Sequence, residues 1–583
     1  MDILQYTGQD DYYNDPRTIG FNEWLFGGAL TPTRRYVTFG DTDSSRSAEY
    51  RTRAFAAGNF SDQAAANAAF FFSSMKPAAN LLSYAIVDES PAPEMPTSRI
   101  WSGGYAAFRE DNTTNKALAG YLWCPAADGG GHAHKDINAV HLTAYGENVL
   151  VNSGYAGYGS GISGSGWSQS YSWDWINKRA ESSNTVLVNG NDHASKAGGG
   201  VSEGFTNQRL DYASGNSGPA LGTVKHQRNF VFVRPGAGAN GYWILFDEIA
   251  ATSASTTTQV LLHPNSKTIS TVNEKTEYRS VMDGVTFGSG SQVALSMFLG
   301  TSPLTVEVKK GGIAAYDSKS FEGEYLYSSY QLNSLTKKKN VVTVLFPEDA
   351  THAKATMTRI SSVWFSGAAI AQGDVVDYAL ESNGANERVH DAVRFRGLAT
   401  LYRMNEGELD FFFVRQGRSF NDGQAVREGF ASDDDVSIFI ADTAGSIISP
   451  GTNVTFFHDG ILGVYFDDFV APIIDSGENW VRVAVPEGTW ETRYLTPTLP
   501  GDANGDGMVN EADSRILAEN WGRTGLTWGH GDFDRDGRVG PTDAAILAAN
   551  WGQNVGETAS TVPEPGLFVL MASLLPLVLR RRR

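Results

Sequence analysis

The segments Asn229-Phe-Val-Phe-Val233 and Tyr242-Trp-Ile-Leu-Phe246 are short apolar runs separated by a connection rich in Gly and Pro. Runs of β-branched and aromatic residues bounded by turn residues are typical of β-strands. Similar runs recur between residues 97 and 495, including Ala139-Val-His-Leu-Thr-Ala-Tyr145, Thr185-Val-Leu-Val188, Val341-Val-Thr-Val-Leu345 and Asp410-Phe-Phe-Phe-Val-Arg415. This spacing predicts a large antiparallel β-sandwich region.

The residues on either side of this region have a different composition. Ser61-Asp-Gln-Ala-Ala-Ala-Asn-Ala-Ala-Phe-Phe-Phe72 opens with a helix-capping Ser and continues in helix-forming Ala, and several prolines follow near residue 95. We therefore expect a multidomain α+β chain. The expected parts are a helical part at 1–95, a β-sandwich at 96–360, a second β-sandwich unit at 361–495, a small α calcium-binding module at 496–555 and an anchor segment at 556–583.

Composition narrows the functional class. The net charge of −19 excludes a nucleic-acid binder with a domain-wide basic surface, because phosphates require clustered Lys and Arg. The single cysteine, Cys124, excludes an intrachain disulfide. Because Cys124 lies in the apolar segment 120–125, it is expected to be a buried small hydrophobic residue rather than a nucleophile.

A repeat between residues 502 and 552 has the ligand spacing of calcium loops. Oxygen ligands at positions 1, 3, 5, 9 and 12, a backbone carbonyl at position 7 and Gly at position 6 are what Ca²⁺ coordination needs. In the first loop these ligand positions are Asp502, Asn504, Asp506, Met508, Asn510 and Asp513. In the second loop they are Asp532, Asp534, Asp536, Arg538 and Asp543, and Gly540 leaves position 9 to water.

The single short helix after each loop, and Asp rather than Glu at position 12, make this repeat similar to dockerin type I modules. The resemblance implies bound calcium. Two interpretations of its role stay open: a calcium-stabilised mini-domain without a protein partner, or a module that docks onto a cohesin-like protein.

The C-terminus combines Val562-Pro-Glu-Pro-Gly566, thirteen mostly apolar residues and four arginines. A bilayer-spanning helix needs about 20 apolar residues, so a permanent span is not expected. The pattern resembles the PEP-CTERM signal of Gram-negative bacteria, which implies exosortase processing and a secreted or envelope-associated protein. Residues 1–30 carry no signal-peptide pattern, so we expect the signal peptide and further residues to lie upstream.

The segment Gly129-Gly-Gly-His132-Ala-His134-Lys-Asp136 concentrates ionisable side chains. In an extended chain, residues two apart share a face, so His132, His134 and Asp136 are expected to point the same way. Two imidazoles and a carboxylate on one face are consistent with a metal site, a proton relay or a polar network.

This segment and its surroundings resemble the β-domain of heparinase II/III-like polysaccharide lyases. The other matching segments are Leu150-Val-Asn152-Ser-Gly154, Lys178-Arg179-Ala-Glu-Ser-Ser183-Asn184-Thr185 and His226-Gln-Arg228-Asn-Phe-Val-Phe-Val233. Pro32-Thr-Arg-Arg-Tyr-Val-Thr-Phe39-Gly40-Asp41 looks like the exit from the α/α toroid of that family. The resemblance implies that residues 1–95 are the C-terminal remnant of such a toroid.

The resemblance also implies a zinc site, whose ligand positions fall on His134, Asn152 and Ser183. Only His134 is a good zinc ligand, because Asn and Ser bind zinc poorly. We therefore expect the zinc site to be lost or weakened and His134 to be hydrogen-bonded.

The reaction of the family is β-elimination at a uronic acid, with a Tyr and a His commonly handling the protons. The resemblance places His132 at the rim of the active site and a tyrosine in the Gly-rich loop that follows Asn152. Tyr155, Tyr158 and Tyr171 are the candidates, and spacing favours Tyr158. Arg179 is a candidate for binding a sugar carboxylate or for bracing the Asn184 strand, and Trp173 for stacking on sugars or for ordinary sheet packing.

These patterns together favour a secreted lyase-like protein that acts on an acidic polysaccharide. A non-catalytic, calcium-stabilised carbohydrate-binding or matrix protein is the main alternative. A glycoside hydrolase ranks last, because it needs two carboxylates flanking a cleft and Asp136 has no evident partner in the sequence.

Overall fold

The computed structural model describes residues 16–42, 96–110, 114–155, 175–176, 179–282, 292–313, 321–382, 386–424, 427–477, 479–496, 499–505, 507–524, 526, 528–534 and 538–553. Several predicted features lie outside these residues. They are the helix at 61–72, Tyr158, Tyr171, Trp173, the loop positions Asp506 and Asp536, and the C-terminal signal.

The described part of the predicted helical region is one helix, α1 (Pro16–Trp24), followed by a π-helical turn, Leu25–Ala29. This turn is held against the first β-sheet by hydrogen bonds. Arg109 donates to the carbonyl of Gly27 at 2.8 Å, and the Tyr105 hydroxyl donates to the carbonyl of Gly28 at 2.6 Å. The helix therefore ends directly on the sheet that carries the His132 loop.

The first sheet has five antiparallel strands in chain order. They are β1 (Arg99–Trp101), β2 (Tyr105–Arg109), β3 (Ala119–Trp123), β4 (Ala139–Ala144) and β5 (Glu147–Leu150). The residues between β3 and β4 contain the His132 segment. Gly120 lets β3 approach the next layer closely, since a Cβ atom there would lie 2.5 Å from the Trp243 ring nitrogen.

The next twelve strands form two further antiparallel sheets. They are β6 (Val186–Val188), β7 (Val201–Phe205), β8 (Leu210–Asn216), β9 (Lys225–Val233), β10 (Tyr242–Ala250), β11 (Thr257–Leu262), β12 (Ser270–Asn273), β13 (Glu277–Val281), β14 (Ala294–Leu299), β15 (Thr305–Ile313), β16 (Phe321–Gln331) and β17 (Lys338–Glu348). The eight-stranded sheet has the order β12-β13-β14-β17-β10-β9-β8-β7, and the four-stranded sheet has the order β15-β16-β11-β6.

The eight-stranded sheet is the middle layer. One apolar core joins it to the five- and four-stranded sheets, with Phe230 and Trp243 packed among Phe108, Leu142 and Leu326. Because successive side chains of a strand point to opposite faces, the alternate residues of β9 and β10 face a second core on the other side. The strands predicted at 229–233, 242–246 and 341–345 are confirmed, and they lie in β9, β10 and β17.

The third layer is built from strands that follow residue 355. They are β18 (Thr356–Ser361), β19 (Phe365–Gln372), β20 (Val375–Ser382), β21 (Arg388–His390), β22 (Val393–Arg396), β23 (Ala399–Asn405), β24 (Glu408–Asn421), β25 (Gly429–Ala441) and β26 (Ala444–Phe457). Their order is β18-β19-β20-β23-β24-β25-β26, and the β21–β22 hairpin lies beside β24. Leu401 and Phe413 share a core with Tyr242 and Val344 of the middle layer.

Contacts divide the chain into two compact units, at places other than the predicted boundary at 360. The first unit comprises residues 1–454 and 485–491, and the second comprises residues 455–484 and 492–583. Residues from 205–346 and from 355–441 bury side chains in one core, which extends across the predicted boundary at 360.

The second unit combines short strands with the calcium-loop repeat. The strands are β27 (Gly463–Phe466), β28 (Phe469–Val470), β29 (Ile473–Gly477) and part of β30 (Trp480–Leu495), and the helices are α2 (Glu511–Asn520) and α3 (Pro541–Ala549). None of the helices that the structure describes has the length and apolar character required to span a bilayer.

Candidate active site

The His132 segment is not the extended strand that the sequence predicts. Gly130–His132 is a 3₁₀ turn, and only at Ala133 does the chain become extended. The expectation of three side chains on one strand face was therefore wrong. The glycines at 129–131 favour a turn because they lack a side chain to pack on a sheet.

The two histidines nevertheless meet, because both contact the carboxylate of Asp41. His132 Nδ1 lies 2.6 Å from Asp41 Oδ2, and His134 Nε2 lies 2.8 Å from Asp41 Oδ1. The His132 side chain is 90% exposed, whereas that of His134 is 7% exposed. Since an ionised carboxylate only accepts hydrogen bonds, both imidazoles donate to Asp41 through these nitrogens.

Asp41 is held in place by the backbone next to it. The Gly40 N–H donates to Asp136 Oδ2 at 3.0 Å, and the Asp41 N–H donates to the His132 carbonyl at 3.1 Å. Gly40 has φ of +60°, and a Cβ there would lie 2.8 Å from the His132 carbonyl oxygen, so a glycine is needed. Burial raises the pKa of Asp136, and the neighbouring His134 opposes that shift.

Aromatic packing fixes the same segment on the five-stranded sheet. Phe39 stacks on Trp123 with ring centroids 5.7 Å apart, and Val37 is buried against Tyr105 and Tyr121. The segment that carries Asp41 is thus tied to the sheet whose β3–β4 connection carries both histidines. The arrangement is preorganised because it needs no movement of either backbone segment.

A second carboxylate, Asp192, pairs with two cationic side chains, one of which follows His134 in the chain. Lys135 Nζ lies 3.0 Å from Asp192 Oδ2, and Arg179 Nε lies 3.5 Å from the same oxygen. The Ala180 N–H donates to Asp192 Oδ1 at 2.5 Å. The Arg179 side chain is 50% exposed, so its remaining donors face solvent and can bind an anion.

The residues at the three zinc positions do not fit zinc. His134 Nε2 is committed to Asp41, and Asn152 Oδ1 accepts the Asn184 N–H at 2.8 Å. Ser183 is buried and is a poor ligand. Among the described residues, the only grouping of metal-binding side chains lies elsewhere, in the second calcium loop.

A buried ion-pair network contacts the backbone at Asn184, just before β6. Arg228 makes two hydrogen bonds to Asp247 (2.7 and 3.0 Å) and also donates to the Asn138 and Asn184 carbonyls. Burial alone would raise the pKa of Asp247, but Arg228 and His226 lower it to about 2. Burial lowers the pKa of His226, which contacts Asp247 at 2.7 Å. Arg228, His226 and Asp247 are therefore buried groups that stabilise the fold, and they do not face solvent.

Cys124 is fully buried, and burial raises the pKa of its thiol to about 11. The expectation of a structural rather than a nucleophilic cysteine is therefore confirmed. Tyr155, at the start of the Gly-rich loop, is partly buried.

Sequence reasoning missed Asp41, Lys135 and Asp192 as parts of the site. Asp41 is 91 residues from His132 in the chain, so no local spacing links them. The only sequence signal was the position of Asp41 at the end of the segment that leads into the β-domain.

The calcium loops have the predicted architecture in their described residues. In the second loop, carboxylate oxygens of Asp532, Asp534 and Asp543 all lie within 4.8 Å of one another. Asp543 Oδ1 accepts the Phe533 and Asp534 N–H groups at 2.6 and 3.0 Å. Clustered carboxylates on a loop before a helix are the donor set that Ca²⁺ prefers, so these residues fit a calcium ion.

The first loop has the same construction. Asp513 Oδ1 accepts the Ala503 and Asn504 N–H groups, and Asp502 accepts the Gly505 and Gly507 N–H groups. Asn510 caps α2 by accepting the Ala512 N–H at 2.7 Å. The side chains of Met508 and Arg538, at position 7 of the two loops, are exposed to solvent. The backbone carbonyls of these residues are therefore the groups available as ligands.

Comparison with known proteins finds two family matches. Residues 93–321 match the family model "Heparinase II/III-like, C-terminal", and residues 500–551 match the family model "Dockerin type I domain". No protein among curated sequences matches the chain significantly.

Similar solved structures include three polysaccharide-degrading enzymes. Heparinase III, the BT4657 gene product, is 12% identical with a TM-score of 0.44, over 65% of this chain and 51% of its own. Heparan sulfate lyase HepC from Pedobacter heparinus is 15% identical with a TM-score of 0.44, over 65% and 50%. A mutant chondroitin AC lyase from Streptomyces coelicolor A3 is 11% identical with a TM-score of 0.42, over 79% and 62%.

This chain spans about half the length of the first two structures. Within it, residues 93–321 are similar to the heparinase II/III-like C-terminal domain, and residues 500–551 are similar to the dockerin type I domain.

Proposed function

We propose that this protein is a polysaccharide lyase that acts by β-elimination on a uronic-acid-containing polysaccharide. The observation that carries the proposal is the Asp41–His132 pair, a carboxylate-held imidazole whose ring is almost fully exposed at the edge of a heparinase II/III-like domain. An imidazole held this way is a common proton-transfer group in enzymes.

In the proposed reaction, His132 acts through Nε2, because Nδ1 is committed to Asp41. β-Elimination removes the proton at C5 of the uronate, forms the C4–C5 double bond and expels the C4 oxygen, which takes up a proton. His132 Nε2 is suited to one of these two proton transfers. Asp41 keeps the ring oriented and stabilises its protonated form, as a carboxylate does for a catalytic histidine.

The substrate carboxylate must be neutralised before the C5 proton becomes acidic. Lys135, three residues after His132 in the chain, and Arg179 are both ion-paired with Asp192 and offer cationic donors. We assign the sugar carboxylate to the exposed donors of Arg179, with Asp192 bracing the guanidinium from behind. The alternative role for Arg179 is to brace the Asn184 strand without contacting the sugar.

The second proton-transfer group is proposed to be Tyr158, and Trp173 is proposed to stack on a sugar ring. Further catalytic groups are proposed to come from a helical toroid of which residues 1–95 form the last part. The proposal also includes calcium in both loops, a cohesin-like partner, exosortase processing and an extracellular or envelope location in a Gram-negative bacterium.

The test uses protein expressed from the complete reading frame, incubated with heparan sulfate, chondroitin sulfate and alginate. Ultraviolet absorbance of the unsaturated uronate product reports cleavage. We expect product from at least one polymer and its loss in His132→Ala. Absence of product from every uronate polymer contradicts the lyase proposal; retention of those polymers without cleavage favours the non-catalytic carbohydrate-binding alternative.

A further inference from the structure

A second surface suited to carbohydrate lies on the third layer, around the turn between β18 and β19. The Trp364 side chain is 59% exposed and its neighbour Val363 is 83% exposed. Single exposed apolar side chains occur on most proteins and do not by themselves indicate a site. The groups around Trp364 therefore decide whether this surface can bind a ligand.

The turn is rigid rather than a loose tip. The Ser362 hydroxyl accepts the Trp364 and Phe365 N–H groups at 3.1 and 3.0 Å, and the Ser362 N–H donates to the Phe365 carbonyl at 2.9 Å. Phe365 is buried, with its ring edge-on to His390 and Phe395. Trp364 is thus presented to solvent by a backbone that is anchored on both sides.

A guanidinium group lies over the exposed ring. The Arg388 Cζ atom is 5.1 Å from the centroid of Trp364, within the range of a cation–π contact. Among the described residues, Arg388 has no carboxylate within ion-pair distance; it donates to the carbonyl of Glu387 at 3.2 Å. The Glu387 carboxylate is instead directed to Arg394, at 3.3 Å.

An unneutralised arginine beside an exposed tryptophan is unexpected in a chain of net charge −19. Anionic side chains are abundant, yet the carboxylate of the sequence neighbour Glu387 is paired with a different arginine, Arg394. The exposed ring of Trp364 and the partly buried guanidinium of Arg388 thus lie side by side, where one ligand can contact both. A sugar ring with a carboxylate matches both, because its C–H face packs on an aromatic ring and its carboxylate accepts from a guanidinium.

We propose that Trp364 and Arg388 form a binding site for a uronate residue of an acidic polysaccharide, apart from the His132 site. The His132 loop joins strands of the first layer, whereas Trp364 and Arg388 belong to strands and turns of the third layer. The site holds the polymer and takes no part in cleavage. It rests on the proposed function only for the class of polymer.

Affinity electrophoresis of the full chain, in gels containing alginate or a neutral glucan, tests the site. The acidic polymer retards the wild type, and Trp364→Ala and Arg388→Ala each weaken this retardation at least fivefold. Trp521→Ala is the matched control, because Trp521 is a similarly exposed tryptophan (39%) in the calcium module. The control keeps the retardation of the wild type.

The outcomes separate this site from the lyase proposal. Variants at Trp364 that lose retention but cleave short uronate oligosaccharides normally support the site. Unchanged retention of both variants, or an equal loss on the neutral glucan, overturns it. A wild type that is retained by alginate without cleaving it leaves this site standing while the lyase proposal fails.

Discussion

Asp41 and His132 form a carboxylate–imidazole pair at 2.6 Å, although 91 residues separate them in the chain. The pair forms because Gly40 bonds to Asp136 and the Asp41 N–H bonds to the His132 carbonyl. The same carboxylate also receives His134. One side chain therefore orients an exposed imidazole and anchors a buried one.

Asp41→Asn is expected to lower kcat by roughly 10- to 100-fold, because an amide holds the imidazole less firmly and does not stabilise its protonated form. KM is expected to change much less, since Asp41 lies behind His132. Steady-state kinetics on a cleaved polymer measure both values. Asp128→Asn is the control, because it alters a carboxylate of the His132 loop whose hydrogen bond among the described residues is to the Gly130 N–H. Equal effects of the two substitutions contradict a positioning role for Asp41.

Asp247→Asn is expected to destabilise the first unit by about 3–5 kcal/mol, because it leaves the buried guanidinium of Arg228 without its counter-charge. Arg394→Ala, which breaks an exposed pair, is expected to change stability by less than about 1 kcal/mol. Urea denaturation measures both free energies of unfolding. Similar losses for the two variants speak against a bracing role of the Arg228 network.

Glu381→Gln is expected to stabilise the protein, relative to the wild type, increasingly as pH rises above about 4.5. Burial, with the nearby carboxylates of Glu248 and Asp247, raises the pKa of Glu381 well above 4.5. Neither carboxyl oxygen has a hydrogen-bond partner among the described residues. The folded state thus retains a proton that the unfolded chain has released.

The direction of the change in stability with pH follows from this difference in the number of bound protons. Wild-type stability falls as pH rises from about 4.5 towards the folded pKa, by about 1.4 kcal/mol per pH unit for this group. Glutamine does not ionise, so its variant lacks this fall. Thermal melting of both proteins between about pH 5 and pH 8 tests the prediction. Melting temperatures of the wild type and the variant that change in parallel with pH contradict the prediction.

Calcium removal is expected to loosen the strands of the second unit as well as the calcium loops. Leu495, at the end of β30, is buried between two glycines, where a Cβ on Gly505 or Gly529 would lie 3.1 or 2.7 Å from its methyl groups. Arg493 donates to the Asn504 carbonyl at 3.0 Å and lies over Tyr465. The backbone that holds these residues also bonds to the ligand residues Asp502 and Asp513.

Hydrogen exchange of peptides covering 463–466 and 492–495 is the measurement. Chelation with EGTA is expected to speed exchange in both peptides, and Leu495→Ala to reproduce this in the presence of calcium. Arg482→Ala, on the same strand at a distance from the loops, is the control. Exchange that is unchanged by EGTA shows that the loops and the strands are independent.

The sequence predicted the strands well because their apolar runs are long enough to bury a face wherever they pair. The runs at 139–145 and 410–415 became β4 and part of β24. The two calcium loops were equally predictable, since ligand spacing is local. The arrangement of the layers was harder to predict from the sequence. The core shared by residues 205–346 and 355–441 depends on which sheet faces meet in the folded protein.

The candidate site was predicted only in its local part. His132 and His134 were identified as a pair, but the reason given, a shared strand face, was wrong because three glycines place a turn at 130–132. Asp41 and Asp192 were not foreseen, since tertiary contacts alone bring them to the loop. Short-range spacing therefore finds the histidines and misses the carboxylates that orient them.

The proposed function depends on one step, in which His132, held by Asp41, transfers a proton in β-elimination. The most direct measurement is the rate of unsaturated uronate formation by the complete protein and its His132→Ala variant, with melting temperature as the check on folding. We expect the folded His132→Ala variant to lose about 10²- to 10⁴-fold in kcat. A folded His132→Ala variant that cleaves at the wild-type rate would contradict it.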